Sequence, residues 1–469
     1  VRMFGTLLSR LFYHYLFDWR LPQSGRIKAD MERFQWLSPE EIRAWQWKRL
    51  KELLDYAYEQ SPFYRRRWEE CGVRPESIKT PEDFQKLPLL TREDVQNHAE
   101  EMLTTQEGIV ANQTGGSTGT PLHFFQGPRY HQTAQAARVV ATEMTGYRFG
   151  DKVLMLWGSD FDSKKRDSLK FRLAERLGHR RRFFNTFHLG PQDIEEIAKV
   201  LKQWRPELVV GYASSLLFVA QEILRLKIDV PRPRIGVQSS AETLFPKNRR
   251  IIEEAFGAPV FDRYGSREFA TLAHECPAHE GLHVLAYSNY LEFLQQGAPV
   301  EPGEEGEIVV TCLDNWAMPF IRYQTQDLAV PLAEPCSCGR GLPLMRIGQG
   351  RVADNIVSPS GKVIHGEFFT HLFYKFEGIR RFQVVQTTPE KLTIRLVPMP
   401  EADLERAKAF LQKTIAEHAD AAFQVDFEIC EDILPSASGK YRFIISERLG
   451  GRREKRESVE LPGKSGFDL

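Results

Sequence analysis

The run Gln113-Thr114-Gly115-Gly116-Ser117-Thr118-Gly119-Thr120-Pro121 concentrates the means to hold an anion. Between Thr114 and Thr120 lie three glycines and four hydroxyl side chains. Glycine lets the backbone approach a ligand closely and adopt positive φ. Hydroxyls and free backbone N–H groups together make a cradle for phosphate oxygens. The run is not the Walker pattern G-x-x-x-x-G-K-[ST], because no Lys follows Gly119. Taken alone it reads equally as a surface turn of small residues.

A second group has the donor chemistry of a metal site. Cys336-Ser337-Cys338-Gly339 puts two thiolates within reach of one ion, and Cys276, His279 and His283 lie upstream. Three Cys and one His form a common closed, tetrahedral zinc sphere. His279 competes with His283 for the fourth position, and His283 is preferred. In this reading the zinc fastens the surrounding β-rich part and does no chemistry; buried or free thiols are the alternative. Cys71, Cys312 and Cys430 have no partners and read as core.

Four further stretches stand between apolar runs. They are Ser239-Ser240-Ala241-Glu242, Asp262-Arg263-Tyr264-Gly265-Ser266-Arg267-Glu268, Arg322-Tyr323-Gln324-Thr325-Gln326-Asp327-Leu328 and Gly350-Arg351-Val352-Ala353-Asp354-Asn355-Ile356. A fifth, Leu434-Pro435-Ser436-Ala437-Ser438-Gly439-Lys440, lies near the C-terminus. Each alone is weak. In this order, together with the Gly-rich run, they resemble the adenylate-forming superfamily of AMP-forming acyl-CoA ligases. Within it the chain is most similar to the phenylacetate–CoA ligase family and its capsule-biosynthesis adenylating relatives. The resemblance covers nearly the whole chain.

The resemblance implies a role for each position. Thr114, Gly115, Gly116, Ser117, Thr118 and Gly119 would hold the β- and γ-phosphates of ATP. Ser240, Ala241 and Glu242 would lie against the adenine and the acceptor carboxylate. In the segment with Arg263, Gly265 and Ser266, Tyr264 would stack on the purine, as a flat aromatic ring can. Glu268 matches the catalytic acidic residue near Mg²⁺, a cation that prefers oxygen ligands. Asp327 would accept hydrogen bonds from the ribose hydroxyls, with Arg351 near ribose and phosphate. Lys440, the second catalytic residue, would stabilise charge developing at the α-phosphate and carboxylate. Some relatives in this branch carry a metal site like the Cys276, His283, Cys336, Cys338 set. Two departures stand out: Leu122 replaces a frequent Lys, and Ala353 replaces the first Asp of the hinge motif Gly-Arg-x-Asp-Asp, leaving Asp354. In relatives that junction swings the C-terminal domain between two half-reactions.

The implied activity uses ATP to form an acyl-adenylate from a small-molecule carboxylic acid, then passes the acyl group to a thiol, coenzyme A by default. Two other classes stay open: an adenylyltransferase that leaves AMP on a hydroxyl or phosphate, and a non-catalytic ATP-binding scaffold. Lys440 and Glu268 count against the scaffold. Where arylacetate enzymes of this family are apolar and glycine-rich, residues 157–166 are charged. Lys164, Lys165 and Arg166 form either a solvated face or a receiver of an anionic substrate. The lean is therefore away from phenylacetate and toward another carboxylate, in surface-polysaccharide modification.

These residues need elements to position them. Val153–Trp157, Leu208–Val210, Arg234–Gln238 and Val260-Phe261 read as strands, interleaved with helical patterns over Ile194–Trp204, Ser214–Leu226 and Pro246–Phe256. The alternation implies an α/β fold: a large N-terminal domain of mostly parallel βα units with a β-rich subdomain, plus a small mobile α+β C-terminal domain. Ligands in such sheets bind at the carboxyl ends of strands. The expected division is a helical extension over 1–38, an adenylation domain over 39–350 with its zinc-bearing part at 270–345, a lid domain over 351–449, and a disordered tail over 450–469. Met3, Leu7, Leu11 and Tyr15 fall at helical spacing, predicting a helix packed on the protein's own body; a membrane-surface helix is the alternative. Arg10, His14 and Asp18 disfavour a signal peptide.

At 469 residues the chain exceeds one compact core. Lys+Arg and Asp+Glu are both 63, which excludes nucleic-acid binding driven by bulk charge. Six cysteines in such a length make no disulfide scaffold, so a cytoplasmic compartment is expected. A homodimer is the default assembly.

Overall fold

The structure, a computed structural model, describes residues 12, 22–113, 122–157, 174–184, 186, 191–351, 356–360, 363–364, 366–373, 378–434 and 443–446. The Gly-rich residues Thr114 to Gly119, the Lys164-Lys165-Arg166 cluster, Ala353, Lys440 and the tail over 450–469 lie outside the described residues, as does most of the expected N-terminal helix. By internal contacts the chain forms two compact units, Val1–Val352 with Leu434–Arg442 and Ala353–Ile433 with Phe443–Leu469.

The first unit opens with helices α1 (Pro22–Phe34), α2 (Pro39–Gln60), α3 (Pro62–Glu70), α4 (Pro81–Phe84) and α5 (Arg92–Met102). Local chemistry sets their ends. Ser38 and Glu41 form a capping box at the start of α2, with Glu41 N–H donating to Ser38 Oγ at 3.2 Å and Ser38 N–H to Glu41 Oε2 at 2.8 Å. Pro62 removes a backbone donor and takes the first position of α3, so the apolar periodicity continues across a break at Ser61. The buried faces of these helices, including Leu50, Leu54, Tyr64, Trp68 and Val95, share a core with Phe269, Leu272, Ile308, Val310 and Phe320 of the sheet region.

A hairpin of β1 (Val110–Gln113) and β2 (His123–Gln126) flanks the Gly-rich run, with Gln113 opposite His123. Helix α6 (Pro128–Glu143) follows. The central sheet contains β3 (Val153–Leu156), β4 (Arg181–Phe184), β5 (Leu208–Tyr212), β6 (Gly236–Ser240), β7 (Val260–Ser266), β8 (Ala270–Glu275) and β9 (Leu282–Val284). It continues with β10 (Asn289–Gln295), β11 (Ala298–Pro299), β12 (Gly306–Cys312), β13 (Tyr323–Leu332) and β14 (Leu344–Arg351). The order is β11-β10-β12-β13-β14-β9-β8-β7-β6-β5-β3-β4. Strands β4, β3, β5, β6 and β7 are parallel; from β7 to β8 onward all pairs are antiparallel. The β-rich part expected at 270–345 is thus no separate sheet but the antiparallel continuation of the parallel one.

Helices α7 (Pro191–Trp204), α8 (Ala213–Arg225) and α9 (Pro246–Phe256) bury Ile197, Leu216 and Ile252 against Leu154, Val209, Val237 and Val260. The alternate residues Val153, Val210 and Phe261 pack with Tyr147 on the opposite face, as the two-residue period of strands requires. Two expected strands move. The Arg234–Gln238 strand runs instead from Gly236 to Ser240, and of Phe320-Ile321-Arg322-Tyr323, a run that reads as a strand from its apolar and aromatic residues, only Tyr323 lies in one. At the second, Arg322 stands at φ 56°, a left-handed conformation that breaks the extended run.

In the second unit β17 (Ile379–Gln386) and β18 (Lys391–Pro398) form an antiparallel pair, following the short strands β15 (Ile356–Val357) and β16 (Val363–Ile364) and helix α10 (Gly366–Phe373). After helix α11 (Leu404–His418), β19 (Gln424–Ile429) adds parallel to β18 and β20 (Ile444–Ser446) parallel to β17. Leu411 and Ile415 of α11 bury against Val384, Leu392 and Ile394. Helix α11 starts after Asp403, whose carboxylate accepts from Arg406 N–H at 3.1 Å. Among the described residues no helix is long and apolar enough to cross a membrane.

Candidate active site and metal centre

Ser240 ends β6 and is buried, and Ala241 turns the chain at φ 70°. A non-glycine residue in that region costs about 1–3 kcal/mol, which surrounding contacts must offset. Glu242, the next residue, accepts from the Ser214 N–H at 2.7 Å. Its carboxylate thereby satisfies an orphan donor at the N-terminus of α8 and faces the positive end of that helix. Sequence reasoning had no sign of this bond.

Parallel register sets Ser240 opposite Arg263. Tyr264 follows, and its hydroxyl donates to Asp327 Oδ2 at 2.7 Å across 63 positions of sequence. Asp327 in turn stands opposite Arg351 in the pairing of β13 with β14. Four residues expected at the nucleotide, Ser240, Tyr264, Asp327 and Arg351, are therefore linked through strand register and one side-chain bond. Gly265 is dictated by space: a Cβ there would sit 2.0 Å from the Ala270 carbonyl oxygen. Glu268 occupies the tight turn from β7 to β8, and Gln126 of β2 donates to the backbone oxygens of Arg267 (3.0 Å) and Glu268 (3.4 Å). The strand that leaves the Gly-rich run is thus tied to the turn that carries Glu268. Gln126 was missed from the sequence; a lone Gln on a short strand has no distinguishing pattern.

Buried polar atoms without a hydrogen-bond partner gather at the same strand ends: Gln238 Oε1, Ser239 Oγ, Arg263 Nε, Ser266 Oγ, Thr271 Oγ1 and His274 Nε2. Folded proteins pair the great majority of such atoms, so a group of them marks a place built for something else. Burial, with the nearby Arg138 charge, pushes the Arg263 guanidinium down to about 10.

The metal-type residues also converge. One ligand atom each from Cys276, His283, Cys336 and Cys338 lie within 4.8 Å of one another. Cys276 Sγ and Cys336 Sγ are 3.6 Å apart, and Cys338 Sγ is 3.4 Å from His283 Nε2. A disulfide would need about 2.0 Å. Zn–S of about 2.3 Å and Zn–N of about 2.0 Å give tetrahedral edges of about 3.8 and 3.5 Å, close to both separations. Burial, then the Arg340 charge, pushes His283 down to about 4, keeping its imidazole in the neutral form a metal needs. Burial pushes the Cys336 thiol up to about 12, so metal entry there must displace a proton. His279 is outside this set: its ring stacks on Phe261 at 5.0 Å and its Nδ1 lies 3.3 Å from Glu275 Oε2.

Cys276 follows β8, His283 is on β9, and Cys336 and Cys338 lie in the connection from β13 to β14, so the group pins three adjoining segments. It also reaches the segment between α1 and α2. There Gly341 N–H donates to the Gln35 carbonyl at 3.0 Å and Arg340 Nε to Gln35 Oε1 at 2.7 Å.

Comparison with known proteins adds four findings. The family described as CapK C-terminal domain matches residues 356–447. Phenylacetate-coenzyme A ligase of Pseudomonas putida is 28% identical over 344 residues, 70% of this chain and 75% of that one. Protein CapK of Staphylococcus aureus is 24% identical over 406 residues, 85% of this chain and 88% of that one. Among solved structures, a 2-hydroxyisobutyryl-CoA ligase in the postadenylation state superposes with TM-score 0.69 at 22% identity, covering 89% of this chain and 92% of that one, a likeness of fold.

Proposed function

We propose that this chain, which belongs to the adenylate-forming superfamily in the branch of phenylacetate–CoA ligase and CapK, is an AMP-forming acid–thiol ligase. It activates a carboxylic acid with ATP and transfers the acyl group to coenzyme A. The observation that carries the reading is the linkage of Ser240, Tyr264, Asp327 and Arg351 at strand ends where open α/β sheets bind ligands.

In the first half-reaction an oxygen of the acid's carboxylate attacks the α-phosphorus of ATP, the bond to the β,γ-unit breaks, and pyrophosphate leaves. In the second, the thiolate sulfur of coenzyme A attacks the acyl carbon and AMP leaves. Positioning and charge stabilisation carry such steps, with little covalent work for the protein. Tyr264 offers its ring to the purine while its hydroxyl holds Asp327, whose carboxylate would accept from the ribose hydroxyls. The Gly-rich run from Thr114 to Gly119 receives the β- and γ-phosphates, and Lys440 neutralises the charge growing at the α-phosphate and carboxylate. Glu268 supplies the oxygen ligand that Mg²⁺ prefers; the ion, when bound, offsets phosphate charge. Cys276, His283, Cys336 and Cys338 hold a structural Zn²⁺ away from the chemistry.

The test is ATP–pyrophosphate exchange across a panel of carboxylic acids, with wild type beside Lys440→Ala. Exchange should depend on the acid and fall by about 10²–10³ in the variant, the usual size of losing one preorganised charge-stabilising group. Exchange that proceeds equally without any acid, or that survives in Lys440→Ala at the wild-type rate, would sink the reading.

A further inference from the structure

Arg263 is an exception among this chain's interior arginines. Arg322 pairs with Glu292 at 3.0 Å and donates to the Gln85 carbonyl at 2.6 Å. Arg249 takes both oxygens of Glu275 at 2.8 and 2.9 Å, and Arg49 pairs with Asp314 at 3.1 Å. Among the described residues the Arg263 guanidinium has neither a hydrogen bond nor an ion pair, and its Nε is buried. A partly buried charge without compensation is costly, so Arg263 calls for a counter-charge that the described residues do not supply.

The surroundings say where that counter-charge enters. Register sets Tyr212, Ser240, Arg263 and His274 opposite one another on adjoining strands, so their side chains share one face of the sheet. The Trp157 ring lies against Tyr212, tilted by 32° with centroids 4.3 Å apart. Gln238, on the same face two residues before Ser240 and flanked by Val210 and Phe261, and His274 each bury an unpartnered polar atom, so polar groups are set among the apolar side chains of this face. Arg138 of α6 is exposed and unpaired among the described residues, yet desolvation and then the Arg181 charge lower its pKa. Arg138 also acts on Arg263 through its charge. The two positive charges disfavour each other, and an anion received by both would relieve that.

That anion is not the reacting carboxylate. Arg263 and Tyr264 are consecutive in a strand and point to opposite sides. Tyr264 turns to Asp327, and Arg263 turns away from it. We infer that the acyl pocket takes a carboxylic acid carrying a second anionic group, which Arg263 and Arg138 receive. The inference rests on the ligase reading above and names the substrate class of that site. It moves Arg263 from the nucleotide to the acid.

The experiment is ATP–pyrophosphate exchange with chain-matched acids: a monocarboxylic acid, the dicarboxylic acid and a phosphorylated carboxylic acid. Wild type, Arg263→Met, Arg263→Lys and Arg138→Met are compared, with ATP binding measured by calorimetry and Tm of the free proteins. Wild type should prefer one of the doubly anionic acids by at least about tenfold in kcat/KM, since a site built to bond a polar group rejects the analogue that lacks it. The carboxylate and phosphate arms tell which anion it is. Arg263→Met and Arg138→Met should each lose that preference, Arg263→Lys should keep part of it, and ATP affinity should hold. Free Arg263→Met should melt no lower than wild type, because it relieves an unpaired buried charge. Good exchange with the monocarboxylic acid and no preference for a second anion overturns the inference and leaves the ligase standing. Loss of ATP affinity in Arg263→Met returns that residue to the nucleotide and also overturns it. No exchange with any acid, in protein that binds ATP, brings down the ligase reading and this inference together.

Discussion

Gly265 shows how tightly the residue scale constrains this site. It lies between Tyr264, bonded to Asp327, and Ser266, whose hydroxyl is buried without a partner. A methyl group at Gly265 would press on the Ala270 backbone, which cannot yield as a flexible side chain would. Gly265→Ala should therefore destabilise by about 1–3 kcal/mol, the usual cost of forcing extra volume into a packed site. It should also weaken ATP binding, because β7 and β8 would part next to Tyr264. Thermal unfolding and nucleotide titration on the same preparation check both; an unchanged Tm would refute the steric argument. Asp262, three positions earlier, has a different duty: burial, then the Glu275 charge, pushes its carboxyl up to about 7. Its backbone N–H donates to Glu275 at 2.8 Å, and Arg249 holds the same carboxylate, so this group braces β7 against β8 and α9.

At the scale of elements, the Cys276, His283, Cys336 and Cys338 group ties β8, β9 and the connection from β13 to β14 to one point. That connection supports Gln35 through Arg340 and Gly341, and Arg340 covers the Trp36 ring at 4.7 Å. A single bound zinc should thus stabilise the α1–α2 junction as well as its own ligands. Chelation or Cys336→Ser should lower Tm by several degrees, consistent with a loss of a few kcal/mol in a large unit. Faster hydrogen exchange should be confined to the segments around residues 33–38, 276–284 and 333–344. Metal analysis should fall from one zinc per chain to none, with ATP affinity retained. Loss of nucleotide binding at constant Tm would contradict a purely structural metal.

At the scale of the whole molecule, the chain divides between Val352 and Ala353. The resemblance puts a hinge there, with Ala353 where relatives carry Asp. Alanine still allows the backbone change that a hinge needs, whereas proline locks φ. Ala353→Pro should leave acid-dependent ATP–pyrophosphate exchange in place and slow thioester formation by at least about tenfold, as expected when a conformational step gates the second half-reaction. Equal losses in both assays would show that the junction has no separate part in acyl transfer.

The order of motifs, the strand–helix alternation and the Cys and His spacing were legible in the sequence because they are local: small residues, periodicity and paired thiols lie within a few positions of one another. Helix ends are set just as locally, as at the capping box of Ser38 and Glu41. What local signals could not carry was pairing across the sheet. The bond from Tyr264 to Asp327, the role of Glu242 at the α8 N-terminus and the tie from Gln126 to the Glu268 turn each join distant positions. No propensity or spacing encodes them, since register is set by which faces bury together. The same limit hid the single sheet, because the switch from parallel to antiparallel pairing at β7 and β8 leaves no local mark. Arg263 illustrates the division most sharply. From the chain one reads that an arginine precedes the Tyr-Gly pair; that it faces away from Asp327 and has no ion pair among the described residues comes from the fold, because burial and pairing are properties of the packed neighbourhood rather than of the residue.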